Sequence, residues 1–297
     1  MALALSRSLK DRLSGGWMAA AVIFILLLPL SVLLGLVIKS IPVLQEIPLV
    51  KLLFSSEWLP MKGIFGFYPF IISSIIVSVV GLLILIPMTL FPAIYLTQFA
   101  PNELRTVMRS VIDVLAGIPS VIHGLWGVLV VVPMVSEYIA PVFGAETAGY
   151  TILSAAIVVA VSVIPFVLNM LLEVFRVIPV ELKEVTLSLG ATYWETIRKV
   201  ILRKAFPGIL SAYTLGLSKA FGETIAVLMV VGNVVQIPGS LLDAGYPLPA
   251  LMANNYGEML SIPMYDSALM FSALLLFAVV FVFNLIARIV ISKTERV

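Results

Sequence analysis

Of the 297 residues, 61% are hydrophobic and 11% charged; a water-soluble domain of this size has about a quarter charged residues, so that class is excluded and the chain reads as an integral membrane protein. It has no cysteine, which removes disulfides, thiolate metal sites and cysteine nucleophiles. The net charge of +2 says little by itself, and the single histidine comes with no cluster of other metal ligands.

A bilayer core ~30 Å thick takes about 20 apolar residues in a helix. Six runs meet that demand, at 17–38, 70–96, 114–135, 150–172, 207–231 and 268–291. The first is longer than a usual signal-peptide core and lacks a clear small-residue cleavage site, so it reads as a retained span. Six spans put both termini on one side. With the N-terminus inside, the cytoplasmic segments hold Arg7, Lys10, Arg12, Arg105, Arg109, Arg176, Lys183, Arg198, Lys199, Arg203, Lys204, Arg288, Lys293 and Arg296. The outer segments hold only Lys39, Lys51 and Lys62, beside Glu137, Glu146, Asp243, Glu258 and Asp266. Basic residues favour the cytoplasmic side, so the expected fold is an all-α polytopic membrane protein of six transmembrane helices, N-in and C-in. The expected division is 1–62 for the N-terminal segment, first span and outer loop, 63–291 for a five-span core, and 292–297 for a cytoplasmic tail.

Prolines 87, 92, 119, 133 and 165 fall within the second to fourth spans. Each removes a backbone donor and bends a helix. Bent, glycine-containing spans suit a bundle with an internal cavity, although Pro and Gly are also ordinary in membrane helices. The third span carries "LAGIPSVIHGLWG" from Leu115 to Gly127, where Ser120 and His123 offer hydrogen bonds. His123 reads as a structural hydrogen-bonder or a substrate contact, and Asp113 as an interfacial anchor.

The connection at 173–206 is too patterned for a plain loop. Pro179 suits a helix start, "VELKEVTLSL" follows, and Gly190 can take the left-handed conformation that ends a helix. Thr192 and Glu195 have capping-box spacing and start a second helix. A rigid, part-apolar cytoplasmic unit suits docking to another protein; a basic amphipathic segment lying on lipid is the alternative.

The fifth run contains Lys219 and Glu223, four residues apart, followed by Thr224. Lys219 falls ~18 Å along a helix that starts near Pro207, close to mid-membrane. A charge there costs at least ~2.5–3.5 kcal/mol. Spacing of four puts both charges on one helix face. They read as the lining of a path for a charged solute, or as a structural ion pair.

The 173–206 loop resembles the coupling loop of ABC-importer permeases: Glu-Ala-Ala, three residues, Gly, nine residues, Ile-x-Leu-Pro. Here the pattern is Glu184, Val185, Thr186, then Gly190, then Val200, Ile201, Leu202 and Arg203, with both alanines and the proline replaced. The resemblance implies a type I ABC importer permease fold and a loop that docks on a cytoplasmic ATPase through Glu184, Val185, Thr186 and Gly190. The chain has no G-x-x-x-x-G-K-[ST] phosphate loop, so ATP hydrolysis is expected on a separate subunit and the chain is not expected to be an enzyme. "LAGIPSVIHGLWG" and "KAFGETIAVLMVVGN" are similar to motifs of permeases in the phosphate-specific (Pst) importers. "EWLP", "FGFYPFI" and the "GETIAVLMVVGN" ending point to the PstC rather than the PstA type. The similarity covers about residues 57–288. Lys219 stands where that family usually has Arg, and His123 where it often has Tyr.

That resemblance implies a permease for inorganic phosphate in the cell membrane, with Lys219, Glu223, Thr224, Ser120 and His123 along the substrate pathway. The implied partners are a PstA-like second permease, an ABC ATPase dimer and an extracytoplasmic phosphate-binding protein. No cofactor, metal or nucleic acid is implied. Molybdate or sulfate transport is the alternative within the ABC class. A secondary transporter would more often show inverted repeats, and a membrane enzyme would need a catalytic constellation that the sequence lacks.

Overall fold

The computed structural model describes residues 2–257 and 263–294. Glu258 and Arg296 lie outside the described residues, as do the side chains of Arg7, Lys10 and Lys293. The helices in chain order are α1 (Ala2–Glu46), α2 (Leu49–Phe54), α3 (Tyr68–Gln98), α4 (Asn102–Ala116), α5 (Ser120–Trp126), α6 (Val132–Met134), α7 (Ala140–Val142), α8 (Ile152–Arg176), α9 (Val180–Ser188), α10 (Tyr193–Thr196), α11 (Leu202–Gly222), α12 (Ile225–Val230), α13 (Leu248–Asn255) and α14 (Pro263–Thr294). A two-residue antiparallel pair, β1 (Trp58–Leu59) and β2 (Ile64–Phe65), sits between α2 and α3.

Among the described residues, five helical stretches are long and apolar enough to cross a membrane: Arg12–Glu46, Tyr68–Gln98, Ser120–Val142, Ile152–Arg176 and Met264–Ser292. They match five of the six expected spans, with two shifts of boundary. The third starts at Ser120 rather than 114. Residues 114–116 instead complete α4, an amphipathic helix with Arg105, Arg109 and Asp113 on one side and Val107, Val111 and Val114 exposed on another. Gly117 and Pro119 separate α4 from the span, because the residue before a proline is steered away from helix. Within the Ser120–Val142 stretch, Pro133 lies between two π-helical segments, Gly127–Val131 and Val135–Ile139. Such wide turns accommodate a residue with no N–H to donate. The fifth expected span, 207–231, is not a single helix; it is divided between α11 and α12.

The core is built by α3 and α8 at the centre, with α11 and α12 packed on them. Small residues of α8, Ala155, Ala156 and Ala160, are fully buried in that packing. Tyr213 of α11 donates to the Ile86 carbonyl of α3 at 3.0 Å and lies 3.1 Å from Thr89 Oγ1. A second cluster caps one end of the bundle. Trp58 packs edge-on against Phe67 and Phe70 with ring centres 5.2 and 4.9 Å apart, and Phe67 meets Phe271 of α14 at 5.4 Å. Aromatic pairs at these separations add to the burial of their area.

The two ends of the bundle hold different segments. At the aromatic end, Lys39 of α1 reaches Asp266 of α14 at 3.8 Å, and the Val43 amide donates to Ser267 Oγ at 3.0 Å. The Ser73 and Ser74 hydroxyls of α3 accept from the amides of Tyr246 and Leu248, which fixes the start of α13. The Ile152 amide, at the start of α8, donates to the Asp243 carbonyl. All these segments were expected on the outer side. The opposite end gathers the C-terminal ends of α3 and α8 with α4, α9 and α10. α1 packs mainly along α14, and the most apolar part of its span has none of its residues buried within the chain. Its exposed apolar surface suits a lipid-facing helix.

Candidate functional site

The hairpin of α9 and α10 is made by local chemistry at each of its joints. α9 follows Pro179 and ends in a glycine cap. The Gly190 amide donates to the Leu187 carbonyl at 3.0 Å and the Ala191 amide to the Thr186 carbonyl at 3.3 Å. Gly190 sits at φ +87°, a conformation that costs a residue with a Cβ about 1–2 kcal/mol. Two residues later the capping box is complete: the Glu195 amide donates to Thr192 Oγ1 at 3.2 Å, and the Thr192 amide donates to the Glu195 carboxylate at 3.1 Å. Lys199 Nζ donates to the other carboxylate oxygen at 2.9 Å. Lys199 first, and then Thr192, hold the Glu195 carboxyl down to about 2.

The outer surface of this hairpin faces away from the chain. α9 buries no residue, and Val185 and Leu189 are 59% and 82% exposed. Glu184 and Gly190 are exposed beside them, and Thr186 is half-buried. The inner surface is pinned to α3. Tyr193 Oη donates to the Gln98 carbonyl, Lys183 Nζ donates to Tyr193 Oη, and the Tyr193 ring meets Phe99 with centres 5.2 Å apart. These contacts join the hairpin directly to the end of α3.

The second constellation lies at the break between α11 and α12. α11 stops at Gly222; Glu223 is extended at φ −71°, ψ 113°, and Thr224 leads into α12 at φ −107°, ψ −61°. Thr224 Oγ1 donates to the Gly222 carbonyl at 3.1 Å. The break removes the stacking of positions four apart, so Lys219 and Glu223 do not share a continuous helix face. Among the described residues no ion pair joins them. Lys219 is exposed instead, with Nζ 4.8 Å from the centre of the Phe166 ring of α8. An aromatic face attracts a cation with ~0.5–1 kcal/mol at an exposed site. Glu223 is half-buried and borders a cavity of about 10 Å³ with Ser74, Ser78 and Pro247.

α5 brings Ser120 and His123 to the neighbouring element, because α5 packs directly on α12. Gly124 makes that approach possible: a Cβ there would stand 2.5 Å from Met229 Sδ and 3.1 Å from the Ala226 Cα. His123 Nδ1 is buried without a hydrogen-bond partner. Among the described residues no hydrogen bond links Ser120 or His123 to Lys219, Glu223 or Thr224. The structure thus puts four of these five residues on elements that meet, α5 and the α11–α12 break, and turns the Lys219 side chain toward α8.

Asp113 does more than mark an interface: it accepts from Asn169 Nδ2 of α8 at 3.5 Å. Close by, Arg109 and Arg176 reach Glu173 at 3.4 and 3.6 Å. Nothing in the residue order marks Phe166 or Tyr193 as partners of the two lysines. Residues 53 and 10 positions apart along the chain meet only because α8 packs on α11 and the hairpin folds back.

The chain matches the model of the family described as binding-protein-dependent transport system inner membrane component over residues 93–296. It is 36% identical to the phosphate transport system permease protein PstC of Xylella fastidiosa (strain Temecula1), over 94% of this chain and 90% of that one. It is 33% identical to the protein of the same name from Haemophilus influenzae, over 93% and 91%. A chain of the methionine ABC transporter MetNI, solved in inward-facing conformations, aligns with a TM-score of 0.56 at 20% identity, covering 80% of this chain and 99% of that one. The chain is therefore a multi-pass inner membrane component of the binding-protein-dependent transport family, and within it belongs with the PstC-type permeases.

Proposed function

We propose that this chain is one of two pore-forming permeases of an ABC importer for inorganic phosphate, oriented N-in and C-in with 63–291 as its core. A PstA-like permease supplies the other half of the pore. An extracytoplasmic binding protein delivers the anion, and a cytoplasmic ATPase dimer performs the hydrolysis. The observation that carries the reading is Lys219, an exposed cation in the last turn of α11 beside a helix break, in a PstC-type chain. Intramembrane cations are expensive and mark ion pathways by default. Lysine offers three donors to an oxyanion, and the hydroxyls of Ser120 and Thr224 and the imidazole of His123 add neutral hydrogen bonds. Glu223, half-buried across the break, opposes entry of an anion until Lys219 or a donor compensates it, which suits a gated rather than an open path.

Coupling is assigned to Glu184, Val185, Thr186 and Gly190. Their hairpin exposes apolar surface to a partner and is tied through Tyr193 to α3. Closure of the ATPase dimer pushes on α9, and Tyr193 carries that push into the span core. Glu184→Lys should abolish uptake while insertion into the membrane is retained.

The deciding experiment is ATPase activity of the complete reconstituted complex with its binding protein, compared across phosphate, sulfate and molybdate. Stimulation by phosphate above both other anions is expected. Stimulation by sulfate or molybdate with none by phosphate overturns the substrate. Uptake that persists without any ATPase subunit overturns the coupling.

A further inference from the structure

The end of the bundle that carries the hairpin also encloses a cavity of about 560 Å³, bounded by the last turn of α3, by α4, by the end of α8 and by the start of α9. Four cations line it, Arg105, Arg109, Arg176 and Lys183, and among the described residues no carboxylate does. Glu173 reaches Arg109 and Arg176 from beyond the lining and is the one acid among the described residues that pairs with them. Four cations against one carboxylate leave three positive charges uncompensated around one concave space. Arg105 and Arg109 are four residues apart on α4 and so project from one helix face. Arg105 spends one N–H on the Thr97 carbonyl at 3.1 Å, and a guanidinium has four more to offer. Between the cations the walls are mixed: Leu172, Phe175 and Ile178 are apolar, and Thr97, Gln98 and Thr106 are polar.

Like charges gathered this way repel one another unless an anion joins them. Arginine forks match the oxygens of a phosphate group two at a time. Basic pockets between helix ends on the cytoplasmic side are suited to phospholipid headgroups, and an apolar wall beside the cations accommodates the glycerol and first methylenes of a lipid. We propose that this cavity binds a phosphate group through Arg105, Arg109 and Arg176, presented either by an anionic phospholipid of the inner leaflet or as free inorganic phosphate. The site touches α3, α4, α8 and α9, the elements that connect the hairpin to the spans. Its occupant ties α4 and α8 to the base of the hairpin and so tunes how stiffly hairpin motion reaches the core. The proposal rests on the cavity and its charges and holds whichever solute is transported.

The test uses the complete complex. Retention of phosphatidylglycerol, added to phosphatidylcholine nanodiscs, is read by native mass spectrometry. Binding of inorganic phosphate is read by calorimetry in lipid-depleted detergent, in a Lys219→Gln background that removes the pathway contact. The Arg105→Gln/Arg176→Gln double variant should weaken retention or binding by roughly tenfold or more. Arg198→Gln removes a charge from the same end of the chain outside the cavity and should leave both unchanged. Loss confined to phosphatidylglycerol assigns a lipid, and loss confined to inorganic phosphate assigns the free anion. Equal binding of both ligands by the double variant and its parent overturns the proposal. If the double variant fails to assemble, the parent complex answers by arginine-directed phenylglyoxal labelling. Protection of Arg105 and Arg176 by either ligand supports the site, and equal labelling with and without both ligands overturns it.

Discussion

Two helix interruptions in this protein look alike on paper and are made in opposite ways. At 189–192 the chain stops, turns through Gly190 at φ +87°, and restarts on a capping box. At 222–224 it stops and restarts with no positive φ and no side-chain cap on Thr224. The first interruption is exposed and every polar joint is filled by a residue within five positions. The second holds one side-chain bond, from Thr224 to the Gly222 carbonyl, and the α12 that follows it packs on α5, α8 and α13. A locally made turn holds its shape while its surroundings move, which suits a lever. A packing-made break changes when its neighbours shift, which suits a gate.

The largest effect is expected from Gly190→Pro. A proline ring holds φ near −65° and cannot reach +87°, so the hairpin loses its turn at about 3 kcal/mol or more; uptake should vanish while membrane insertion, followed by fractionation, persists. Lys219→Gln removes a charge-assisted contact from the other interruption. Phosphate uptake should fall roughly tenfold to a hundredfold with the complex still assembled; unchanged uptake would leave the break with no part in the pathway. A matched glycine pair sharpens the contrast. Gly190→Ala should lower hairpin stability by about 1–2 kcal/mol. Gly222→Ala, with open space around it and no positive φ, should stay within about 0.5 kcal/mol. Hydrogen exchange of the flanking amides reads both, and equal costs would erase the distinction. Thr192→Ala should cost the hairpin about 1 kcal/mol.

The smallest effect is a pH response. The Glu195 carboxyl is held at about 2 by Lys199 and Thr192, below the ordinary carboxylate range. Its contribution to the hairpin is therefore complete above that range and is lost as pH falls through it toward 2. The protection of the 192–199 amides, taken relative to their intrinsic exchange rate at each pH, should be unchanged from neutral pH to about 5, where an ordinary glutamate is still mostly ionised, and should fall only below about 4. Protection already lost at pH 6 would place the hairpin's stability elsewhere.

The hairpin was legible because each of its signals acts within a few residues. Gly190, Thr192 and Glu195 specify their own backbone and caps wherever the segment sits. The apolar spans were legible for a similar reason: a lipid core demands length and hydrophobicity before it demands any particular neighbour. The start of the third span was misplaced by six residues, although the spacing of Arg105, Arg109 and Asp113 against Val107, Val111 and Val114 already describes an amphipathic helix that Pro119 must end.

What the amino-acid order determined alone was therefore the number of apolar crossings to within one broken helix, the side preference of the charges, and the form of the α9–α10 hairpin. Tertiary packing decided the break at Glu223, the turn of Lys219 toward Phe166, the pin from Tyr193 to α3 and the grouping of arginines from α4 and α8 around one cavity. The division follows from range. Caps, turns and hydrophobic length act between residues a few positions apart, whereas a side chain such as Lys219 finds its partner among helices that the chain brings together only after it has folded.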